Sequence, residues 1–289
     1  MPNILVIGAT GTIGTQVVAA LRERGAEVRA GVRDPAKATA LRELGAQLVR
    51  FDYADPSSYA AALDGIERVF SLSPFSADFE HVLAPFAASL REAGIAHVVR
   101  ISASGADPAS PLELGRRHAA AEAAIRDSGV AWTILRPTFF MDNFINFAGA
   151  SVREQGTFYG ASKDQPVAYV STRDIAEVAA EILLAPSEHA GQTYALTGPS
   201  AVRDTEVAQT LSEALGREVR YIDLSPDQIS AGAMQQGAPA WRAEALAGLE
   251  TVKAQGWAAE VSPAVAQVLG REGERFDAFV TRNLDRLAS

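Results

Sequence analysis

The strongest constraint on the fold lies in the first two dozen residues. The apolar run Ile4-Leu5-Val6-Ile7 passes directly into Gly8-Ala9-Thr10-Gly11-Thr12-Ile13-Gly14. From there Ile13, Val17, Val18 and Leu21 recur at helical spacing. A buried strand, a glycine turn and a helix in that order form the opening of a βαβ unit. Gly8 permits a tight turn, Gly11 lets main-chain amides approach a ligand without an intervening Cβ, and Gly14 lets the helix pack closely on the strand. Gly25 then stops the helix as a C′ residue.

The alternation continues. Glu27–Val32 reads as a second strand and 35–44 as a helix, with Asp34 as its cap and Pro35 in the first turn. Further strands are expected at 47–51, 68–72, 97–102 and 132–136, with intervening helices after Asp55-Pro56, from about 79 to 93 and from 112 to 128. Largely apolar strands separated by helices predict a parallel sheet covered on both faces, hence an α/β doubly wound Rossmann fold. Beyond Pro137 the regularity fades. The stretch 139–170 reads as loop-rich, a helix is expected within 170–184, a short strand at 193–196, a helix at 205–215 and a strand at 219–222. The expected organisation is a Rossmann domain over 1–155, with sheet elements returning around 165–200, and a smaller C-terminal α/β substrate lobe over 200–289.

Ligands of such sheets sit at the carboxyl ends of the strands. The glycine turn there presents free N–H groups and the positive end of a helix dipole, which suits a pyrophosphate. The second strand ends Val32-Arg33-Asp34. An acidic residue in place of Arg33 would bond the ribose hydroxyls of NAD, whereas a guanidinium grips a 2′-phosphate. NADP(H) is therefore the expected cofactor. Gly8, Thr10, Gly11, Thr12, Ile13, Gly14 and Arg33 are the expected contacts. Asp52 and Tyr53 would lie at the adenine edge, and Ser71, Leu72 and Ser73 along the middle. For Arg33 a solvent-facing role remains open, with Asp34 merely capping a helix.

Composition narrows the remaining classes. The 289 residues include no cysteine, which removes disulfides and thiolate chemistry and fits a reducing, cytoplasmic setting. The net charge of −9 gives no generic surface for nucleic acid. No run reaches the roughly 20 apolar residues of a membrane span, and the start lacks the pattern of a signal peptide. The four histidines show no zinc spacing, so no metal is expected. A homodimer is compatible with the sequence.

Taken in order, the turn 8–14, Arg33-Asp34-Pro35, Asp52, Ile101-Ser102-Ala103-Ser104, Arg136-Pro137 and Ser171-Thr172-Arg173-Asp174-Ile175-Ala176 resemble the NmrA-like group of atypical short-chain dehydrogenases/reductases. NADPH-dependent quinone oxidoreductases and triphenylmethane reductases stand near this group. The resemblance covers about the first 200 residues and, more weakly, Tyr221-Ile222-Asp223-Leu224-Ser225. It implies a Rossmann fold and NADP(H), with Ile101, Ser102, His118 and Pro137 toward the nicotinamide. One departure matters. The Tyr-Gly-x-Ser-Lys pattern of extended members, which supplies the proton, is here Leu114-Gly115-Arg116-Arg117-His118. Leucine transfers no proton.

Two consequences follow. Hydride transfer can proceed to a quinone-like or other conjugated aromatic acceptor that needs little protonation, with His118, Ser102 or Ser104 as candidate catalytic groups. His118 has an ordinary pKa near neutrality. Alternatively the chain binds NADP(H) as a redox-sensing regulator, or retains it in a non-redox biosynthetic step. The segment Phe139–Phe147 holds four phenylalanines in nine residues directly after the sixth strand. Phe75, Phe139, Phe140, Asn143 and Phe144 are thus the expected contacts of a flat small-molecule substrate. Core packing is the competing role for these rings.

Overall fold

The computed structural model describes residues 3–288. The described residues divide into two compact units. The first runs up to Pro137 and resumes for Thr172–Ala195; the second comprises Thr138–Ser171 and the residues from Leu196 onward.

The first unit is built on β1 (Asn3–Ile7), β2 (Glu27–Val32), β3 (Gln47–Arg50), β4 (Arg68–Ser71), β5 (His97–Ile101) and β6 (Ala131–Pro137). Between them lie α1 (Thr12–Glu23), α2 (Thr39–Glu43), α3 (Tyr59–Leu63), α4 (Leu83–Glu92) and α5 (Glu113–Arg126). In the second unit come α6 (Asn143–Asn146), α7 (Gly149–Gln155) and β7 (Thr157–Gly160). The chain then returns to the first unit with α8 (Thr172–Leu184) and β8 (Gln192–Leu196). The seven-stranded sheet has the order β3-β2-β1-β4-β5-β6-β8, and the pairs β1–β2, β1–β4, β2–β3, β4–β5 and β5–β6 are parallel. The order reverses between β1 and β4, so a crevice opens at their carboxyl ends, as expected of a doubly wound sheet.

Every residue of β5 is buried, and so is nearly all of β1. Burial on both faces explains their unbroken apolar runs. One face is closed by α1 and α8, where Gln16 Nε2 donates to Thr172 Oγ1 at 2.6 Å. The other face carries a core of Phe51, Tyr59, Phe79, Phe86, Val98 and Ile125 under α3, α4 and α5. The second unit adds β9 (Arg220–Asp223), parallel to β7, with α9 (Asp204–Leu215), α10 (Pro226–Gln235), α11 (Ala240–Ala254), α12 (Ala264–Leu269), α13 (Phe276–Arg282) and α14 (Leu284–Ala288). Its own core joins Met141, Phe144, Phe158, Tyr169, Leu211 and Phe279. No helix among the described residues is long and apolar enough to cross a membrane.

Several elements differ from expectation. The helix expected over 35–44 is a 3-10 turn, Pro35–Lys37, followed by α2, because Ala38 breaks the helical backbone at φ −100°, ψ 41°. Asp34 does cap, accepting from Ala36 N–H at 3.1 Å. The same arrangement recurs at Asp55-Pro56, where Asp55 accepts from Ser57 N–H. The helix expected from 79 begins at Leu83. Strand β7 lies inside the stretch read as loop, its four residues too short to show an alternating pattern. The opening run of the first compact unit ends at Pro137, the last residue of β6. The strand expected at 193–196 proves to be the seventh of the main sheet.

The start of α1 is the tightest junction in the first unit. A Cβ at Gly14 would stand 2.2 Å from Gly8 O and 2.7 Å from Gly8 C, both backbone atoms that cannot rotate away. A Gly14→Ala variant should therefore lose about 2–3 kcal/mol of stability or fail to fold, read as a fall in the thermal midpoint. An unchanged midpoint would mean that α1 shifts on the sheet without cost.

Candidate cofactor and active site

The glycine turn sits at the crevice between β1 and β4. Gly8 adopts φ +78°, and a Cβ there would meet Leu72 O at 3.0 Å, so the turn and the end of β4 are in contact. Gly11 differs from both neighbouring glycines. Its φ of −83° is open to any residue, and an added Cβ would meet only Gly8 O, at 3.4 Å. The fold itself thus demands Gly8 and Gly14 but not Gly11. Beyond Gly11 the cradle is open, and Thr10, Gly11 and Thr12 are exposed while Ile13 is buried beneath them. Gly11 is the N-cap of α1 and has no side chain to satisfy the helix's first N–H groups, which leaves them available to an anion.

Arg33 follows β2 and is exposed, with no hydrogen bond or ion pair among the described residues. Its neighbour Asp34 pairs instead with Lys37 at 3.4 Å. An uncommitted guanidinium at that strand end fits a ligand phosphate. Asp52 is half-buried, with Oδ1 accepting from Ala54 N–H at 3.0 Å.

Other expected contacts are core. Tyr53 is 6% exposed, its ring packed against Phe51 and Phe86 and its hydroxyl 2.9 Å from Ser71 Oγ. Burial raises its pKa to about 12. Tyr53 and Ser71 therefore serve each other, and neither side chain reaches the crevice. Ile101 and Pro137 are also buried, while Leu72 and Ser73 are half-exposed. In the second unit Phe144 is enclosed by Phe158, Tyr169 and Phe276, which makes it a core ring rather than a substrate contact. Phe139 lies under Lys253 Nζ, 5.5 Å from the ring centre; Phe140 and Asn143 are half-exposed. Phe75, in the first unit, is 48% exposed.

Below the ends of β4, β5 and β6 lies a polar cluster that sequence reading caught only in part. Arg100 is 0% exposed, with Nη1 donating to Ser71 O at 3.2 Å and Nη2 to Ser73 Oγ at 2.8 Å. Its signal was a charge inside an otherwise apolar strand, Val98-Val99-Arg100-Ile101. Glu122, also 0% exposed, receives two bonds from Arg136, Nε at 2.8 Å and Nη2 at 2.7 Å, and pairs with a second cation, Arg126, at 3.0 Å. Burial pushes the Glu122 pKa up, but the Arg136 hydrogen bonds, the nearby Ser102 hydroxyl and the two guanidinium charges outweigh it and hold the carboxylate below its usual range. Ser104 is exposed, with its N–H on Pro137 O at 3.0 Å.

His118 stands one turn before Glu122 on α5, its ring 4.7 Å from Phe79 and its Nδ1 buried without a partner among the described residues. Burial, then the Arg100 charge, drive its pKa down to about 3 against the weaker pull of Glu122. The neutral-range titration expected for it is absent, so at physiological pH it is a neutral imidazole and not a cationic proton donor. Leu114, one turn earlier, packs against the core. The helix face that could deliver a proton to a bound substrate therefore holds no acid. Among the described residues no group of three or more His, Asp or Glu gathers to hold a metal ion.

A model of the family described as NAD(P)H-binding matches residues 8–186, a span that starts at the first glycine of the turn and ends just after α8. The chain belongs to the NAD(P)H-binding family. It is 37% identical over 276 residues to NAD(P)H azoreductase of Xenophilus azovorans, covering 96% of each chain. It is similar to the NADPH complex of an Escherichia coli NADPH-dependent quinone oxidoreductase, with a TM-score of 0.87 at 28% identity over 98% of this chain and 99% of that one. Citrobacter sp. triphenylmethane reductase complexed with NADP(H) gives a TM-score of 0.85 at 26% identity, over 96% and 99%. The fold is NmrA-like.

Two histidines bear on how stability depends on pH. His97 Nε2 lies 2.9 Å from Thr133 Oγ1, whose own proton goes to His189 O at 2.7 Å, so His97 Nε2–H is the donor to Thr133. Burial, with the Arg68 charge, lowers its pKa to about 4. Below pH 6.5, the ordinary histidine value, the unfolded chain takes up protons that the folded chain refuses until about pH 4 at His97 and about 3 at His118. Stability should therefore fall as pH drops through that window. The urea midpoint should decline steadily on acidification and decline less in His97→Gln; equal slopes in both proteins would refute the assignment.

Proposed function

We propose that the protein is an NADPH-dependent reductase whose hydride acceptor is a flat, conjugated aromatic compound of the quinone, azo or arylmethane-dye type. It is an oxidoreductase, and the observation that carries the acceptor class is the proton-poor face of α5. Leu114 and a neutral His118 occupy the positions from which related enzymes protonate a carbonyl. An isolated ketone would build up charge on one oxygen and need that proton in the transition state. A conjugated acceptor spreads the incoming electron pair over several atoms, and water supplies the proton afterwards.

The cofactor site follows from what the fold leaves open. Bound there, the reduced nicotinamide supplies a hydride. The α1 N-terminus and the amides of the Thr10–Ile13 turn hold the pyrophosphate, Gly11 giving it room. Arg33 takes the 2′-phosphate, and Asp52 borders the adenosine half. Leu72 and Ser73 line the middle. Toward the reacting end, Ser102 and His118 orient rather than protonate. On the second unit, Phe140 and Asn143 offer an aromatic and an amide surface to a flat substrate. The similarity to relatives that carry the names azoreductase and quinone oxidoreductase supports this reading.

The decisive measurement is stopped-flow oxidation of NADPH by quinones, azo dyes and simple ketones. Oxidation by the conjugated acceptors and none by ketones is expected. Tight NADPH binding without oxidation by any acceptor would turn the reading toward a redox sensor. Arg33→Ala should weaken NADPH far more than NADH, by about 1.5–3 kcal/mol for a charge-assisted phosphate contact. Gly11→Ala should keep the thermal midpoint and lose affinity for both nucleotides. Equal weakening of NADPH and NADH by the Arg33 change would show that no phosphate lies there.

A further inference from the structure

At the opposite end of the sheet from the glycine turn, the amino ends of β1, β2 and β3 enclose a cavity of about 240 Å³. Asn3, Glu27 and Gln47, the first residues of the three strands, form its rim, and Arg22 and Arg29 supply its cationic lining. Neither guanidinium is free to swing. Arg22 Nη1 is held by Ala26 O at 2.7 Å, and Arg29 Nη1 by Ala62 O at 3.0 Å and Asp64 O at 2.7 Å. These carbonyls lie at the ends of α1 and α3, so each arginine closes a helix with one nitrogen and keeps its other nitrogens uncommitted.

Two features exceed what helix closure needs. Among the described residues no carboxylate lies within ion-pair distance of either guanidinium, although Glu27 shares the cavity wall. In a chain of net charge −9 the local excess is one positive charge. In addition, Arg22 Nε is shielded from solvent and has no acceptor among the described residues. A buried donor of that kind is costly unless something accepts from it. Gly45 lies against the same guanidinium, where an added Cβ would stand 3.1 Å from Nε, so the backbone presses the group into place.

We propose that this cavity is a second ligand site, separate from the dinucleotide cradle, which takes a small oxyanion such as a phosphate or a carboxylate. Two planar forks fixed by backbone carbonyls present donors in a preset direction, the arrangement that oxyanions match. Asn3 and Gln47 add amide groups to the rim, and Glu27 offsets one of the two cationic charges.

The test uses the full chain saturated with NADPH, so that the added anion does not occupy the dinucleotide cradle. Inorganic phosphate is titrated while the Arg22 and Arg29 Nε–H resonances are followed by NMR, with acetate and chloride in parallel. Saturable shifts of both resonances with phosphate, and none with chloride, are expected. A response to acetate as strong as that to phosphate would assign the site to carboxylates within the same class. Arg22→Gln and Arg29→Gln should each weaken phosphate by about tenfold or more. The exposed Glu27→Gln should keep the fold and tighten binding several-fold, an effect that helix closure alone does not produce. Absence of saturation with phosphate and acetate, or affinity indifferent to Glu27→Gln, would overturn the proposal. Neither result bears on NADPH binding, which is secured before the titration begins.

Discussion

The approach of helix α1 to the end of strand β1 governs the rest of the structure. With no Cβ at Gly14, the helix start comes to rest on the Gly8 carbonyl at a distance that any side chain would occupy. Gly8, in turn, lies against Leu72, so the turn also fixes the end of β4. The reversal of strand order falls at that pair. Close packing of three backbone segments therefore makes the crevice, and the exposed N–H groups of α1 point into it. Gly11 stands apart because its neighbours leave it room. The fold does not require a glycine there, and in the proposed site its freedom gives a ligand room.

Electrostatics give the crevice its chemical character. A fully buried arginine, Arg100, is satisfied by a carbonyl and a hydroxyl rather than by a carboxylate. The buried carboxylate on α5, Glu122, is taken by Arg136 and Arg126 instead. His118 lies among these charges and remains neutral, because adding a proton would place a further cation near Arg100 without solvent to screen it. The same low-dielectric burial that stabilises the bidentate Arg136–Glu122 pair thus removes the acid function that the histidine position suggests. In the proposed reaction the reductase hands over a hydride and leaves protonation to water, which favours acceptors that delocalise charge.

Much of this was legible in the residues. Apolar runs of strand length, the glycine spacing and the capping residues Asp34 and Asp55 are local signals. They report steric and hydrogen-bonding demands that act within a few residues. The fold class, the cofactor family and the place of the cradle follow from them. Arg100 was legible in principle, as a charge inside an apolar strand, but its partners on β4 lie 27 and 29 residues away. Phe144 illustrates the opposite difficulty. Its position in an aromatic-rich segment suits a binding surface and a core equally, and only the rings from residues 158, 169 and 276 decide for the core. The short strand β7 escaped notice because four residues carry too little periodicity to distinguish a strand from a loop.

By itself, then, the sequence determined the doubly wound architecture, the strand–turn–helix cradle and the cation at the end of β2, since each rests on backbone sterics or on charge at a single position. Tertiary structure alone decided that Tyr53 faces the core, that Glu122 is spent on Arg136, that His118 is neutral, and that Arg22 and Arg29 share a cavity. Those properties depend on burial and on charges brought together from distant strands and helices. A protonation state or an unmet hydrogen bond is set by everything within a few ångströms in space, and spacing along the chain carries no record of it.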